Sequence, residues 1–336
     1  MPDARASLRP SRRGAGTALL LCVAASLWVP SGAAAPSGAV APEAGPIGGI
    51  QGAVVQHTPP VHPLGSQPVS LEIVERGSSS ERRTVTDNAG RFSFRALPVG
   101  GVRVFLVRTA YGGVPYETRV LLTPAAPTRT VELAVYESTR DRTIVRGTVM
   151  FAVVDTVRGA VRVSVVQRLV NGSDRAVLVT EDDPLVFPLP RGAEAVEFIG
   201  GWRAPRLTDR AITDTIPVLP GAMQVGYAFG LEPRTRRFAW PWVLPYGATD
   251  VEVLVGDPSV RLSGPGFRAG AEVTDAGRRF ARWSAGPVPA GGQLTITLDG
   301  LPASDDRWPI AAASVLAVLL LAGVAVALAR RPVAAT

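Results

Sequence analysis

A long uncharged run near the carboxyl end most constrains what this chain can fold into. Residues Pro309 to Ala329 carry no charge, consist mainly of Leu, Val and Ala, and include one polar side chain, Ser314. As a helix this run covers roughly 31 Å, enough to cross the hydrocarbon core of a bilayer. Arg330 and Arg331 follow at once, and flanking arginines favour the cytoplasmic side. We therefore predict a single-pass cell-membrane protein with a transmembrane helix over 309–329, a cytoplasmic tail over 330–336, and an extracytoplasmic location for the bulk of the chain.

The amino-terminal end is consistent with export. Four arginines precede an uncharged run over 14–29, and small residues follow over 31–35, as a signal peptidase requires. We predict a signal peptide over 1–34 and a flexible Ala/Pro/Gly linker over 35–47. An uncleaved signal would instead give two spans with the same extracytoplasmic domain. The only cysteine, Cys22, lies within the predicted signal, so the exported domains are expected to fold without disulfides.

The formal net charge of +7 does not indicate nucleic-acid binding. Much of the excess lies in the predicted signal and tail, whereas arginines and carboxylates nearly balance along the extracytoplasmic segment. Binding to phosphates requires a basic stripe, and the sequence shows none. The predicted partners are the lipid bilayer, through the single span, and an envelope protein or a polysaccharide.

The segment 48–137 has the pattern of an antiparallel β-sandwich. Apolar residues such as Val69, Leu71 and Ile73 alternate with polar ones, and Gly and Pro separate the runs. Asp87-Asn88-Ala89-Gly90 has the composition of a hairpin turn. Short strands without a helical period are typical of a sandwich. The predicted strands are 49–56, 68–76, 82–87, 91–96, 102–109, 116–123 and 128–136.

The order of motifs in this segment resembles that of carboxypeptidase regulatory-like domains, which have a transthyretin-type, carbohydrate-binding-like fold. The resemblance rests on Gly52-Ala-Val-Val, Pro68-Val-Ser-Leu and the stretch from Thr84 to Gly100. It departs after Gly100, where Gly101 and Val102 replace the usual aromatic residue. The resemblance implies an accessory β-sandwich domain that carries no catalytic group of its own.

A second β-sandwich domain is predicted over 142–300. Asn171 to Asp174 has the composition of a hairpin turn between Val170 and Ala176, and the same asparagine heads an N-x-S glycosylation pattern. The predicted fold is therefore all-β, with two antiparallel β-sandwich domains in tandem and one C-terminal transmembrane helix. The predicted strands of the second domain are 143–156, 160–170, 175–180, 193–199, 222–230, 249–255, 279–285 and 293–299.

The sequence shows no catalytic constellation, and we predict no enzyme activity, no cofactor and no metal site. His57 and His62 are the only histidines; they could share a metal, but no HExxH helix accompanies them, and exposed loop positions are expected. No histidine follows residue 142 to activate a serine. The densest acidic positions are 181–183 and Asp209 with Asp214, which suit ordinary turns or, alternatively, calcium coordination.

One aromatic cluster in the second domain is a candidate ligand surface. Trp240 and Trp242 are two residues apart, so on a strand both side chains would lie on the same face. Aromatic faces beside arginines suit a sugar or a peptide, and the alternative is that these side chains fill the core or face lipid headgroups. The candidate ligand-binding residues are Trp202, Arg203, Arg236, Trp240, Trp242 and Tyr246.

Two functions follow as hypotheses. The first is a non-enzymatic, membrane-anchored extracytoplasmic protein that acts as a scaffold or protein-interaction module of the cell envelope. The second is a carbohydrate-binding surface module that uses the aromatic and arginine cluster of the second domain.

Overall fold

The computed structural model describes residues 47–157, 160–233 and 235–301. Every regular element in these ranges is a β-strand, which confirms the prediction of an all-β protein and is consistent with a β-sandwich. None of these ranges contains a helix that could cross a bilayer. The predicted signal peptide, transmembrane helix and tail lie outside the described residues.

Residues 47–135 form two four-stranded sheets. The strands are β1 (Ile47–Gln56), β2 (His62–Pro63), β3 (Pro68–Glu75), β4 (Ser78–Val85), β5 (Arg91–Pro98), β6 (Val104–Tyr111), β7 (Val114–Val120) and β8 (Thr128–Val135). In sheet 1, β1 lies at the centre and pairs with β2, β5 and β8, whereas sheet 2 has the order β4-β3-β6-β7. All seven predicted strands are present, and β2 is an addition that the proline-rich sequence around it did not reveal.

The inward faces of these two sheets share one hydrophobic core, core 1. Alternate residues of β3, Val69, Leu71 and Ile73, are buried there, as the period-two pattern predicts. Phe92 and Phe94 of β5 also point into core 1. The turn at 87–90 is present, with Gly90 at φ 73°, but it connects strands of different sheets and is therefore not a hairpin.

Residues 138–301 contain a larger set of sheets. The strands are β9 (Ser138–Thr139), β10 (Val145–Val157), β11 (Ala160–Asn171), β12 (Ala176–Val177), β13 (Leu185–Pro188), β14 (Glu194–Gly200), β15 (Arg206–Leu207), β16 (Ala211–Asp214), β17 (Gly221–Leu231), β18 (Arg237–Leu244), β19 (Asp250–Val255), β20 (Arg261–Ser263), β21 (Arg268–Ala269), β22 (Val273–Asp275), β23 (Arg278–Ala285) and β24 (Gly292–Asp299).

A large sheet, sheet 3, organises this part of the chain. Its order is β14-β17-β11-β10-β19-β23-β21, and the smaller sheets β13-β16-β15 and β18-β24-β20 complete the arrangement. One face of sheet 3 contributes Met150, Val163 and Tyr227 to core 2, which also takes in side chains of the two smaller sheets. Core 2 therefore lies between sheet 3 and these two sheets.

The opposite face of sheet 3 is also well covered. Phe151, Val153 and Phe280 belong to a separate apolar cluster there. Ion pairs between long charged side chains flank this cluster. Arg162, with only 4% of its side chain exposed, contacts Glu197 at 2.7 Å. Because charged side chains with apolar stems can cover hydrophobic surface, β11 is buried on both faces and lacks the exposed face that strict alternation would give.

The strand pairing is not purely antiparallel, which corrects the predicted topology. β1 pairs in parallel with β8, and β10 pairs in parallel with β19. Each of these pairs joins strands far apart in the chain, which no local pattern in the sequence specifies. The predicted hairpin around Asn171 is also wrong, because β12 pairs in parallel with β9 and not with β11.

Candidate functional site

The aromatic residues proposed as a ligand platform are mostly buried. Trp240 and Trp242 are each 3% exposed and Tyr246 is 9% exposed, and all three belong to core 2. The two tryptophans lie on the same face of β18, as their spacing predicts, with ring centroids 6.2 Å apart. That face points inward. These three residues therefore fill the core, which was the alternative to a ligand platform, and they do not form a surface patch.

Burial also explains the chemistry of the tyrosines in this cluster. Burial raises the pKa of Tyr227, and a hydrogen bond from Trp242 opposes the shift. Burial likewise raises the pKa of Tyr246, whose hydroxyl accepts a hydrogen bond from the backbone N–H of Val186 at 2.9 Å. Both hydroxyls therefore stay protonated and satisfy partners within core 2. These are packing roles.

The remaining members of the predicted set are more exposed than these three. Trp202 is half-buried, and its indole N–H donates to the carbonyl of Gly226 at 2.6 Å. The side chains of Arg203 and Arg236 are exposed. Phe187, which the sequence analysis did not single out, connects the aromatic rings: its centroid is 5.2 Å from that of Trp202 and 5.8 Å from that of Tyr246.

The histidines and acidic residues occupy ordinary positions. His57 is half-buried beside Glu132 at 3.0 Å, whereas His62 is exposed on β2. Asp214 is 1% exposed, and its carboxylate accepts backbone hydrogen bonds, including one from Arg203 at 2.9 Å. Glu181 pairs with Arg206 at 2.6 Å. Within the described ranges no three side chains of His, Cys, Asp or Glu cluster as a metal site.

The turn at Asn171 is built from its own side-chain amide. The Nδ2 group donates to the carbonyl of Arg175 at 2.7 Å and to that of Val218 at 2.9 Å, and Oδ1 accepts from the Ser173 backbone at 3.0 Å. Asn171 is 1% exposed. The amide nitrogen that a glycan would use is therefore buried and occupied, which favours a structural role for Asn171, although the chain reversal it stabilises is not the predicted hairpin.

The junction between core 1 and core 2 is a second candidate, and it was not foreseen from the sequence. On β12, Ala176 is fully buried in core 1, and the next residue, Val177, is fully buried in core 2. Leu178 packs against core 1 and Val179 against core 2. Since strand side chains alternate between faces, one short segment contributes to both cores.

Polar contacts hold this junction from the side of β1. Thr58 is 3% exposed; its hydroxyl donates to the carbonyl of Asp174 at 2.7 Å and accepts from the backbone N–H of Glu137 at 3.0 Å. Arg175 pairs with the Glu137 carboxylate at 2.9 Å. The junction thus combines backbone, hydroxyl and charge contacts between the two parts of the chain.

The outer face of sheet 1 contains a shallow groove, called here the β1 groove. Its floor is β1. There Gly49, Gln51 and Ala53 lie on the outer face of the strand, whereas Ile50 and Val54 are buried on the inner face. The groove consists of a cavity of about 900 Å³ and another of about 320 Å³ that share Gln51 and Ser93. Small residues on the central strand between longer ones on its neighbours make the face concave.

Comparison with solved structures gives several distant likenesses. No protein-family model matches the chain, and no curated protein matches it. A variant of a two-domain M1 zinc metallopeptidase bound to L-tryptophan is 16% identical over 48% of this chain and 44% of that chain, with a TM-score of 0.30. A variant of an M1 zinc metallopeptidase from Deinococcus radiodurans bound to a Tyr-Ser-Ala substrate is 14% identical over 46% and 42%, with a TM-score of 0.29.

The full-length major pilin SpaD from Corynebacterium diphtheriae is 11% identical over 77% of this chain and 84% of that chain, with a TM-score of 0.23. This chain spans less than half the length of the two peptidase chains. At such TM-scores these likenesses carry no argument about activity or partners.

Proposed function

We propose that this chain is a non-enzymatic, membrane-anchored protein of the cell envelope that acts as a scaffold or protein-interaction module outside the cytoplasm. The observation that carries the proposal is the junction, where Ala176 fills core 1 and Val177 fills core 2. A scaffold must hold its surfaces in a fixed relation, and a segment shared by two cores supports such a role.

We also infer that the two cores belong to two tandem β-sandwich domains, 48–137 and 142–300, and that the first is a carboxypeptidase regulatory-like domain. The order of β1, β3 and β5, with the turn at 87–90 between β4 and β5, supports this assignment. The uncharged run over 309–329 and the flanking arginines support the membrane anchor and its orientation.

Cross-linking followed by purification of the full chain from detergent-extracted membranes tests the scaffold function. We expect a reproducible protein partner whose recovery falls in a Thr58→Val variant, because that substitution removes both hydroxyl contacts of the junction. A Thr274→Val variant, altered at an exposed threonine of β22, should recover the partner normally. Failure to recover any reproducible partner would count against the proposal.

A protease added to intact spheroplasts tests the orientation independently. With a tag on Thr336, we expect digestion of the bulk of the chain and survival of the tagged end. Removal of the tag from outside, with the bulk of the chain protected, would reverse the topology.

The carbohydrate alternative no longer has its proposed surface, because Trp240, Trp242 and Tyr246 lie in core 2. No observation on that part of the second domain favours sugar binding over packing. The scaffold is therefore the function proposed for the chain as a whole.

A further inference from the structure

We propose that the β1 groove binds an acidic polysaccharide, with the carboxylates of the sugar chain held by Arg91 and Arg95. This site lies in the first half of the chain, away from the aromatic cluster that the sequence suggested. The inference is independent of the scaffold function, since it requires only that sheet 1 is folded.

The two arginines are placed to bind carboxylates that repeat along a ligand chain. Arg91 and Arg95 lie on β5, both exposed, with Ser93 between them on the same face. Four residues along a strand correspond to about 13 Å, so the two guanidinium groups sit apart along one rim of the groove. Among the described residues, no ion pair involves either arginine.

The neighbouring carboxylates are already engaged elsewhere. Glu132, on the opposite rim, contacts His57 at 3.0 Å. Asp87, at the end of the groove, accepts hydrogen bonds from the backbone N–H groups of Ala89 at 2.9 Å and Arg91 at 2.8 Å. These two acidic side chains lie at the end of the groove and on its opposite rim, whereas the β5 rim carries the positive charges of Arg91 and Arg95, which complement a carboxylate-bearing ligand.

The rest of the lining suits hydroxyl groups. Gln51 lies on the floor, and its amide donates to the Thr130 hydroxyl at 3.2 Å, which orients it across the groove. Ser93 and Thr84 add further hydroxyls. Amide and hydroxyl side chains can both donate and accept, and sugar hydroxyls can do the same. The lining therefore matches a polyhydroxylated chain.

The position of the groove disfavours an acidic peptide. Peptides that bind sheets commonly add a strand to a free edge, but the backbone of β1 pairs with β5 on one side and with β8 on the other. A peptide lying on the floor of the groove therefore finds no free strand backbone, and within the described residues strand addition to sheet 1 is open only at its outer strands, away from the floor. The only rings on β5, those of Phe92 and Phe94, point into core 1, so an aromatic stacking platform for neutral sugars is also missing on β5.

The expected binding is weak per contact and sensitive to salt. Exposed ion pairs contribute little individually, so affinity should rise with the length of the sugar chain as more contacts become available. Because the contacts are solvent-exposed, added salt should screen them.

Binding of short oligogalacturonides to the detergent-purified full chain tests the inference, with neutral galacto-oligosaccharides of equal length and poly-L-glutamate as comparison probes. We expect binding of the acidic sugar alone. In an Arg91→Gln/Arg95→Gln variant the affinity should fall at least about tenfold. An Ala53→Leu variant, which raises the floor, should also weaken binding, although Ala53 carries no charge.

The matched control is Arg119→Gln/Arg261→Gln, which removes the same charge from two exposed arginines on β7 and β20 and should bind normally. An equal loss in this control would show non-specific attraction and overturn the inference. Equal binding of poly-L-glutamate or of the neutral sugar, or unchanged affinity in the Arg91/Arg95 variant, would overturn it as well. A negative result here leaves the partner-recovery experiment unaffected, so the two proposals fail separately.

Discussion

Ala176 and Val177 are neighbours on one strand and are both completely buried, yet each fills a different hydrophobic core. A change at either position should therefore be felt on both sides of the junction. We therefore expect the stability of one half of the chain to depend on the packing of the other.

Substitution of Ala176 by Leu tests this coupling. Added methylenes in a packed core usually cost about 1–3 kcal/mol, here in core 1. Every tryptophan between residues 47 and 301 lies at or beyond Trp202, so tryptophan fluorescence in this part of the chain reports on the second half. In Ala176→Leu we expect two urea midpoints to fall together: the one measured by tryptophan fluorescence and the one measured by far-UV circular dichroism.

The exposed Ala271→Leu is the control for this experiment, and it should change stability by no more than about 0.5 kcal/mol. A fluorescence midpoint that stays constant in Ala176→Leu, while the dichroism transition splits in two, would contradict the coupling.

The hydroxyl of Thr58 is expected to stabilise the junction measurably. Thr58→Val keeps the shape of the side chain but leaves the Asp174 carbonyl and the Glu137 N–H without this partner. Leaving buried polar groups unpaired costs about 1–3 kcal/mol. Chemical denaturation should show a loss of this size, and Thr274→Val should show almost none. Stability equal to that of the parent chain would mean that water replaces the hydroxyl without loss.

The buried tryptophans should contribute to stability as core residues. Replacing a large buried aromatic side chain by Ala costs about 3–5 kcal/mol, so Trp242→Ala should be strongly destabilised in a denaturant titration. Arg203→Ala and Arg236→Ala, which truncate exposed side chains, should change stability by less than about 0.5 kcal/mol. Wild-type stability in Trp242→Ala would show that the indole is not part of the packed interior.

Alkaline pH should weaken the fold through its buried tyrosines. Burial raises the pKa of Tyr116 to about 12, whereas an unfolded tyrosine titrates near pH 10. The unfolded chain therefore releases these protons first, and stability that is fully present below about pH 10 declines as the pH rises toward 12. The raised pKa values of Tyr227 and Tyr246 act in the same direction.

Urea midpoints measured between about pH 8 and pH 11.5 check this decline. In Tyr116→Phe the urea midpoint should decline less steeply with rising pH, because one titrating group has been removed. The variant should also lose about 1 kcal/mol near neutral pH, since the Tyr116 hydroxyl donates to the Tyr136 carbonyl at 2.9 Å. A midpoint that stays constant to pH 11.5 in the parent chain would contradict the expectation.

Local patterns predicted the strands well where polar and apolar residues alternate. The buried residues of β3 and β5 follow the predicted parity, and β10, β11 and β17 appear close to their predicted limits. β18 was missed because Pro241 interrupts its pattern, although the shared face of Trp240 and Trp242 was correct. Exposed Ser78 to Ser80 gave no apolar signal, so β4 begins earlier than predicted.

Long-range pairing and burial were beyond the reach of the sequence. The spacing of Trp240 and Trp242 fixes a common face but not whether that face is inside, because the answer depends on sheet 3 packing against it. The β1 groove depends on Ser93 and Thr130, which flank Gln51 only once β5 and β8 have paired with β1. A run such as Gly48-Gly49 hints at close packing, yet it does not reveal which strands approach.

The parallel pairing of β1 with β8 sets the order in which the protein can assemble. A chain that emerges from its amino end must wait for Val135 before sheet 1 can close, and core 1 stays incomplete until Ala176 has also emerged. Contacts so distant along the chain slow folding and keep apolar surface uncovered for longer. During synthesis the amino-terminal half of the chain is therefore incompletely folded, and it needs protection from aggregation until Ala176 has been added.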